Sequence, residues 1–110
     1  MDAKVVVIIA TGEEQKALTG VMYASKNLSE GWLDDVKVVF LGPSERLLVT
    51  SEEIAKAAKE LSGAHKPLAC KFVADNEGIT EKIEALGLKV DYVGTIIADL
   101  IKDGYLPMVF

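Results

Sequence analysis

The most constraining feature of this sequence is an unbroken apolar run near its start. Residues 4–10 read Lys-Val-Val-Val-Ile-Ile-Ala, so five β-branched residues follow one another with no polar residue between them. A strand with one face in water alternates apolar and polar side chains, whereas a continuous run is typical of a strand buried on both faces. Such strands lie in parallel sheets that carry helices on both sides. The run therefore predicts a core strand of an α/β fold.

The segments after this strand alternate between helical and strand patterns. Apolar residues recur at helical spacing through residues 14–28, and Glu13 and Glu14 at its start suit the positive end of a helix dipole. The spacing of Thr50 and Glu53 predicts a capping box at the start of a second helix. Two more helices are predicted at residues 80–86, with Thr80 as the cap, and at residues 95–103.

Four more strands complete the pattern. They are predicted at residues 36–41, 66–70, 89–92 and 106–110. The connections between strands are too long for hairpins, so right-handed crossovers in a mostly parallel sheet are expected. Because there is no linker, repeat or low-complexity tract, residues 1–110 are expected to form a single domain. The predicted fold is a three-layer α/β/α sandwich with a five-stranded sheet, of the flavodoxin-like type.

Composition excludes several functional classes. Twelve basic residues against 17 acidic residues give a formal net charge of −5, which argues against a nucleic-acid-binding protein with its basic surface. The longest apolar run has six residues, whereas a membrane-spanning helix needs about twenty. The first residues show no secretory pattern, and the single cysteine, Cys70, cannot form a disulfide within the chain. A cytoplasmic protein that interacts with neither nucleic acid nor membrane is therefore expected.

In an open parallel sheet, ligands bind beyond the carboxyl ends of the strands. The candidate binding residues at these ends are Thr11, Gly12, Gly42, Pro43, Ser44, Lys71 and Gly94. The dinucleotide motif GxGxxG and the P-loop motif are both missing there, and one histidine with one cysteine cannot build a zinc site. No cofactor and no metal are therefore expected. A nucleotide- or flavin-binding enzyme stays an alternative that a yellow preparation or a copurifying nucleotide would favour.

Cys70 is the candidate nucleophile. It ends the third predicted strand, and a helical turn is expected to begin at Lys71. The positive end of a helix dipole and a neighbouring ammonium group both favour the reactive thiolate form of a cysteine. Cysteine is also a common small buried residue, in which case it has no chemical role. Exposure separates the two interpretations: a thiol open to solvent beside a cleft favours chemistry, and a thiol sealed by apolar side chains favours packing.

Three segments of the chain carry a family resemblance. They are residues 38–43 (VVFLGP) followed by Leu47-Leu48, residues 68–70 (LAC) with Gly78-Ile79 eight residues after the cysteine, and Val93-Gly94 with Leu100-Ile101 and Gly104-Tyr105. In this order they resemble the DsrE/DsrF-like family of small sulfur-relay proteins, over nearly the whole chain. The resemblance implies a DsrEFH-like α/β/α subunit that assembles into trimers or hexamers, or into hetero-assemblies with related subunits.

The resemblance also implies an activity. In the sulfur carriers of the family, the cysteine that matches Cys70 takes up sulfur as a persulfide and passes it to the thiol of a partner protein. The first hypothesis is therefore a sulfur carrier or sulfurtransferase-like protein, with Gly42, Pro43 and Ser44 lining its pocket and Lys71 stabilising the thiolate. Whether such a protein acts as an enzyme is left open. The alternative is a non-catalytic module of the same fold, in which Cys70 is structural and the cleft at the strand ends holds a small anionic ligand or none.

Overall fold

The fold is built on a sheet of parallel strands, and the computed structural model describes it over residues 2–110. In this range the strands are β1 (Lys4–Ile9), β2 (Asp35–Phe40), β3 (Leu68–Cys70), β4 (Lys89–Asp91) and β5 (Leu106–Val109). They form one sheet in the order β4-β3-β2-β1-β5, and every neighbouring pair is parallel. The helices are α1 (Glu14–Glu30), α2 (Ser44–Thr50), α3 (Glu52–Ala64), α4 (Lys71–Glu77), α5 (Thr80–Ala85) and α6 (Val93–Lys102). The predicted parallel sheet of five strands is confirmed.

Strand β1 has a neighbour on each side, β2 and β5. Its side chains alternate between two apolar cores: Val5, Val7 and Ile9 belong to one core, and Val6 and Ile8 belong to the other. All five side chains are buried. This arrangement explains the unbroken apolar run, because a polar side chain at any of these positions would lie in one core or the other.

The two cores lie under different helix layers. The larger core is closed by α1, α2, α3 and α5, with side chains that include Val21, Leu48, Ile54 and Ile83. The smaller core is closed by α6, with Val93, Ile97 and Leu100, and by Val73 of α4. The three-layer α/β/α arrangement is confirmed, although its two helical layers differ in size. No helix in residues 2–110 is both long enough and apolar enough to cross a bilayer.

Helix α2 is absent from the sequence prediction. It begins directly after Pro43, where the sequence indicates only a turn that stops β2. Its inward side carries Glu45 and Leu48, which are both buried. A helix of seven residues shows less than two full turns of apolar periodicity, and here one inward position is a glutamate. The periodic signal of α2 is therefore too weak to be recognised in the sequence.

Two predicted helix caps are wrong. The N-cap of α3 is Ser51, whose Oγ accepts a hydrogen bond from the Ile54 backbone N–H at 3.2 Å, and Thr50 is instead the last residue of α2. Likewise, Thr80 is the first residue of α5, and its hydroxyl donates to Asp75 Oδ1 at 2.5 Å. In both places the preceding or following residue takes the cap position: Ser51 caps α3 through its hydroxyl, and Ile79 precedes α5 without a side-chain cap.

A polar cluster ties together the amino ends of β1, β2 and β5. The hydroxyl of Tyr105 donates a hydrogen bond to Asp35 Oδ2. Lys4 Nζ lies 4.8 Å from the centroid of the Tyr105 ring and donates to the backbone oxygen of Asp103 at 2.6 Å. The hydrogen bond to Asp35 raises the pKa of Tyr105 to about 12. Burial acts to raise the pKa of Asp35, but the hydrogen bond from Tyr105 and the positive charge of Lys37, 3.4 Å away, outweigh it and hold that pKa below its ordinary value.

Candidate functional site

The loops that follow β1 and β2 pack together at the carboxyl edge of the sheet. A Cβ atom placed on Gly12 would lie 3.1 Å from the Cβ of Pro43, so the two loops touch where Gly12 has no side chain. Thr11 Oγ1 accepts a hydrogen bond from the Glu13 N–H at 3.0 Å, which shapes the turn into α1. Gly42 has a φ of 75°, a left-handed conformation that favours glycine. Four of the predicted site residues therefore meet at this edge.

A cleft of about 240 Å³ lies beside these loops, between the start of α2 and helix α4. Its lining residues are Gly42, Pro43, Arg46, Val73 and Glu77. The sequence predicts the first two as binding residues and misses the other three. Arg46 Nη2 lies 2.6 Å from Glu77 Oε1, so an ion pair connects α2 to α4 at this cleft.

Two polar residues at the start of α2 point into the protein. Ser44 is fully buried, and its hydroxyl donates to the backbone oxygen of Ile9. Ser44 therefore does not line the cleft, contrary to the sequence prediction, because its hydroxyl is used to join α2 to the end of β1. Glu45 is also fully buried, with Oε2 accepting from the Gly42 N–H at 3.1 Å. Within residues 2–110, Glu45 Oε1 has no hydrogen-bond partner.

Burial perturbs the titration of Glu45. Removing a carboxylate from water disfavours its charged form, and this effect raises the pKa of Glu45 to about 7 despite the opposing hydrogen bond from Gly42. The carboxyl group of Glu45 therefore keeps its proton to a higher pH than that of a solvated glutamate. The sequence gives no sign of this, because a glutamate near a helix start is usually solvated.

Cys70 lies where the sequence predicts, as the last residue of β3 directly before α4. Its exposed fraction is 9%. The thiol belongs to the smaller apolar core, together with Val6, Val39 and Val93, and it does not line the cleft. Val73, one turn along α4, packs against the same core and also lines the cleft. Apolar side chains thus surround most of the cysteine.

The structure does not bring the other predicted residues into the cleft. Lys71 Nζ lies 3.1 Å from Asp75 Oδ2, one turn along α4. This hydrogen bond raises the pKa of Lys71, while the hydrogen bonds from Thr80 and then Lys71 lower the pKa of Asp75. The ammonium group is thus paired with a carboxylate on its own helix. Gly94 is exposed in the first turn of α6 and does not line the cleft.

Two exposed aromatic residues flank the strand ends that hold Cys70. Phe72 in the first turn of α4 is 65% exposed, and Tyr92 directly before α6 is 57% exposed. Tyr92 follows Asp91, whose Cα pairs with that of Cys70 in the sheet. The sequence prediction omits both residues, because an aromatic residue next to a strand is more often part of the core. Together they give this part of the carboxyl edge an apolar surface.

A second groove runs along α1. It has a volume of about 590 Å³ and is lined by residues of α1, including Met22, together with Trp32.

Among residues 2–110 no group of three or more histidine, cysteine, aspartate or glutamate side chains is arranged to hold a metal ion.

The comparisons with known proteins are informative about the fold. No protein-family model matches the sequence, and no curated protein matches it either. Among solved structures, the chain is similar to BT1422, a conserved protein of unknown function from Bacteroides thetaiotaomicron, with a TM-score of 0.88 and 22% identity over 97% of this chain and 94% of that chain. It is also similar to MTH1491, a protein of unknown function from Methanobacterium thermoautotrophicum, with a TM-score of 0.75 and 19% identity over 99% of this chain and 100% of that chain.

These comparisons establish the class of protein to which the chain belongs. It is an α/β protein with a parallel five-stranded sheet, and the same fold extends over nearly the full length of both solved structures. At these identities the likeness shows the fold alone.

Proposed function

We propose that this protein is a non-catalytic binding or assembly module of the α/β/α fold, with Cys70 as a packing residue. The observation that carries the proposal is the burial of Cys70, which is 9% exposed in a core made of apolar side chains. A buried cysteine in such surroundings behaves as a small hydrophobic residue. The pairing of Lys71 with Asp75 supports the same conclusion, because the ammonium group has a carboxylate partner other than the thiol.

The binding site of this module is the cleft at the carboxyl edge, and its ligand is a small anion. Parallel α/β sheets bind ligands at this edge. The guanidinium group of Arg46 lines the cleft, and Gly42 and Pro43 leave its rim without long side chains.

A sulfur carrier is the second candidate, and the position of Cys70 favours it. The thiol lies at a strand-to-helix junction on the ligand-binding edge of the sheet, with the exposed rings of Phe72 and Tyr92 nearby. In this reaction the Cys70 thiolate attacks the outer sulfur of a donor persulfide, forms a new S–S bond and releases the donor thiolate. A thiolate of the acceptor protein then attacks the outer sulfur of the Cys70 persulfide, and the Cys70 thiolate leaves.

Intact-mass measurement after incubation with glutathione persulfide separates the two candidates. The wild-type protein and a Cys70→Ser control are treated side by side. The module proposal expects no added sulfur on either protein, and it expects Cys70 to react with iodoacetamide far more slowly in the folded state than in urea. A gain of about 32 Da on the wild-type protein alone, reversed by a reductant, would overturn the module and establish the carrier.

Assembly in the cytoplasm is part of either proposal, through self-association into a homo-oligomer (a trimer or hexamer) or through a hetero-assembly with related subunits. Ile101 of α6 and Val109 of β5 are exposed on the side of the sheet that carries the smaller core, under α6 and Val73 of α4. Covering such side chains with another subunit removes apolar surface from water. Light scattering coupled to size-exclusion chromatography tests this, and a purified protein that stays at the monomer mass of 11.8 kDa would contradict self-assembly.

A further inference from the structure

Arg46 is positioned to bind an anion in the cleft at the carboxyl edge. Its guanidinium group contacts Glu77 through a single pair of atoms, Nη2 and Oε1, at 2.6 Å. A guanidinium group has five N–H donors in a planar fork that can grip a carboxylate with two parallel hydrogen bonds. Within residues 2–110 this is the one hydrogen bond found for the Arg46 side chain. Most of its donors are thus left for another acceptor.

The size and lining of the cleft restrict what that acceptor can be. The cleft volume of about 240 Å³ is below the roughly 300–1,000 Å³ of pockets that hold drug-sized ligands, so the cleft suits a smaller ligand. Pro43 and Val73 supply apolar surface on the lining, and Gly42 supplies no side chain. A phosphate ion has no apolar part to place against them, whereas a short aliphatic carboxylate does. Glu77 itself is a carboxylate on a short aliphatic chain, so the site already holds a group of this kind.

We propose that the cleft binds a small aliphatic carboxylate. The carboxylate group is held by Arg46, and the aliphatic part lies against Val73 and Pro43. Glu77 is an internal competitor, because a ligand must take its place on the guanidinium group. The proposal rests on the module function for its biological meaning and deepens it by naming the ligand class, the anchoring residue and the competing side chain.

Displacement of Glu77 has a low cost. The side chain of Arg46 is mostly exposed, and that of Glu77 is also in contact with solvent. Exposed ion pairs contribute little net stability, since water competes for both charges. Removing the competitor should therefore tighten binding by about two- to fivefold.

The experiment is an NMR titration of the ¹⁵N-labelled full chain with sodium propionate, against sodium chloride at equal concentration. The reporters are the backbone amides of Gly42 and Val73 and the Nε–H group of Arg46. We expect saturable shifts at these three positions in the wild-type protein. Arg46→Gln removes the Nε–H reporter and should abolish the shifts of the Gly42 and Val73 amides, and Glu77→Gln should lower the dissociation constant two- to fivefold. Circular-dichroism melting of each variant checks that it folds.

A matched control separates release of Arg46 from a general change of charge. Asp75→Asn removes the same charge from the same helix, but the partners of Asp75 are Lys71 and Thr80, and neither of them lines the cleft. This variant should bind propionate as the wild-type protein does. Equal tightening by Asp75→Asn and Glu77→Gln would overturn the role of Glu77 as a competitor.

Other outcomes overturn other parts of the proposal. If neither the wild-type protein nor Glu77→Gln shows saturable shifts, the cleft is not a carboxylate site. If sodium phosphate binds as tightly as propionate, the assignment to aliphatic carboxylates is wrong. A failure of the carboxylate proposal can be told apart from a failure of the module function. The module function fails if Cys70 takes up sulfur, which the mass measurement detects independently of propionate binding. Absence of propionate binding together with an unreactive Cys70 would refute this inference alone.

Discussion

The buried carboxyl group of Glu45 should make the stability of this protein depend on pH in a specific direction. Burial raises the pKa of Glu45 from its ordinary value of 4.5 to about 7, so the folded state binds more protons than the unfolded chain between these values. The stabilisation is fully present below pH 4.5 and is lost as the pH rises through 7. The gap between the two pKa values, at about 1.4 kcal/mol for each pH unit, amounts to about 3 kcal/mol.

Glu45→Gln isolates this effect, because glutamine is neutral at every pH and keeps an acceptor oxygen for the Gly42 N–H. The free energy of unfolding of both proteins is measured by urea denaturation, with far-UV circular dichroism, from pH 4.5 to pH 8. Contributions from all other groups are common to both proteins and cancel in the difference. That difference should change by about 3 kcal/mol in favour of the glutamine variant as the pH rises. A difference that stays constant over this range would refute the reasoning, since it would show that Glu45 titrates alike in both states.

Two further predictions concern packing and hydrogen bonding. Gly20→Ala should lower the free energy of unfolding by about 1–2 kcal/mol, because the new Cβ would lie 2.9 Å from Phe110 Cγ in a packed region. Gly63→Ala in α3 should instead raise it by about 0.5–1 kcal/mol, since the new Cβ would meet no atom within 4 Å beyond its chain neighbours and its own helix backbone, and alanine favours a helix. Equal effects of the two substitutions in urea denaturation would contradict the packing argument. Tyr105→Phe should cost about 1.5–3 kcal/mol at neutral pH, because a hydrogen bond to the Asp35 carboxylate is lost. Since the pKa of Asp35 is lowered by folding, that cost should shrink as the pH falls below 3.8, and thermal melts that show the same cost at all pH values would exclude Asp35 as the partner.

The sheet is predictable from the sequence because burial on both faces restricts which residues a strand can carry. In residues 4–10 that restriction is complete, so the central strand is recognisable before any other element. The junction at Cys70 is predictable for a related reason, since a short β-rich segment is followed directly by a polar lysine where α4 begins. Gly42 and Pro43 are predictable as cleft residues because they come directly after β2, and the carboxyl ends of neighbouring parallel strands share one edge of the sheet.

The rest of the site depends on packing that the sequence does not reveal. Glu45 and Arg46 are adjacent in α2, yet one is fully buried and the other is exposed, because the helix turns only one of them toward the core. The contact between Arg46 and Glu77 joins positions 31 residues apart, and it exists only because α2 packs beside α4. The exposure of Cys70 depends on Val73 and on residues from other strands and from α6, so the resemblance of its segment to sulfur carriers leaves that exposure undetermined.

The placement of β5 beside β1 has a consequence for the order of events during synthesis. The Phe110 N–H donates to the backbone oxygen of Ile8 at 2.8 Å, and the Ala10 N–H donates to the backbone oxygen of Phe110 at 2.8 Å. On the ribosome β1 emerges first, but its second neighbour is translated roughly a hundred codons later. Before β5 pairs with β1, a nascent sheet of the other four strands would leave one edge of β1, its most apolar strand, unpaired. Until β5 covers it, that edge is a template for pairing with strands of other chains.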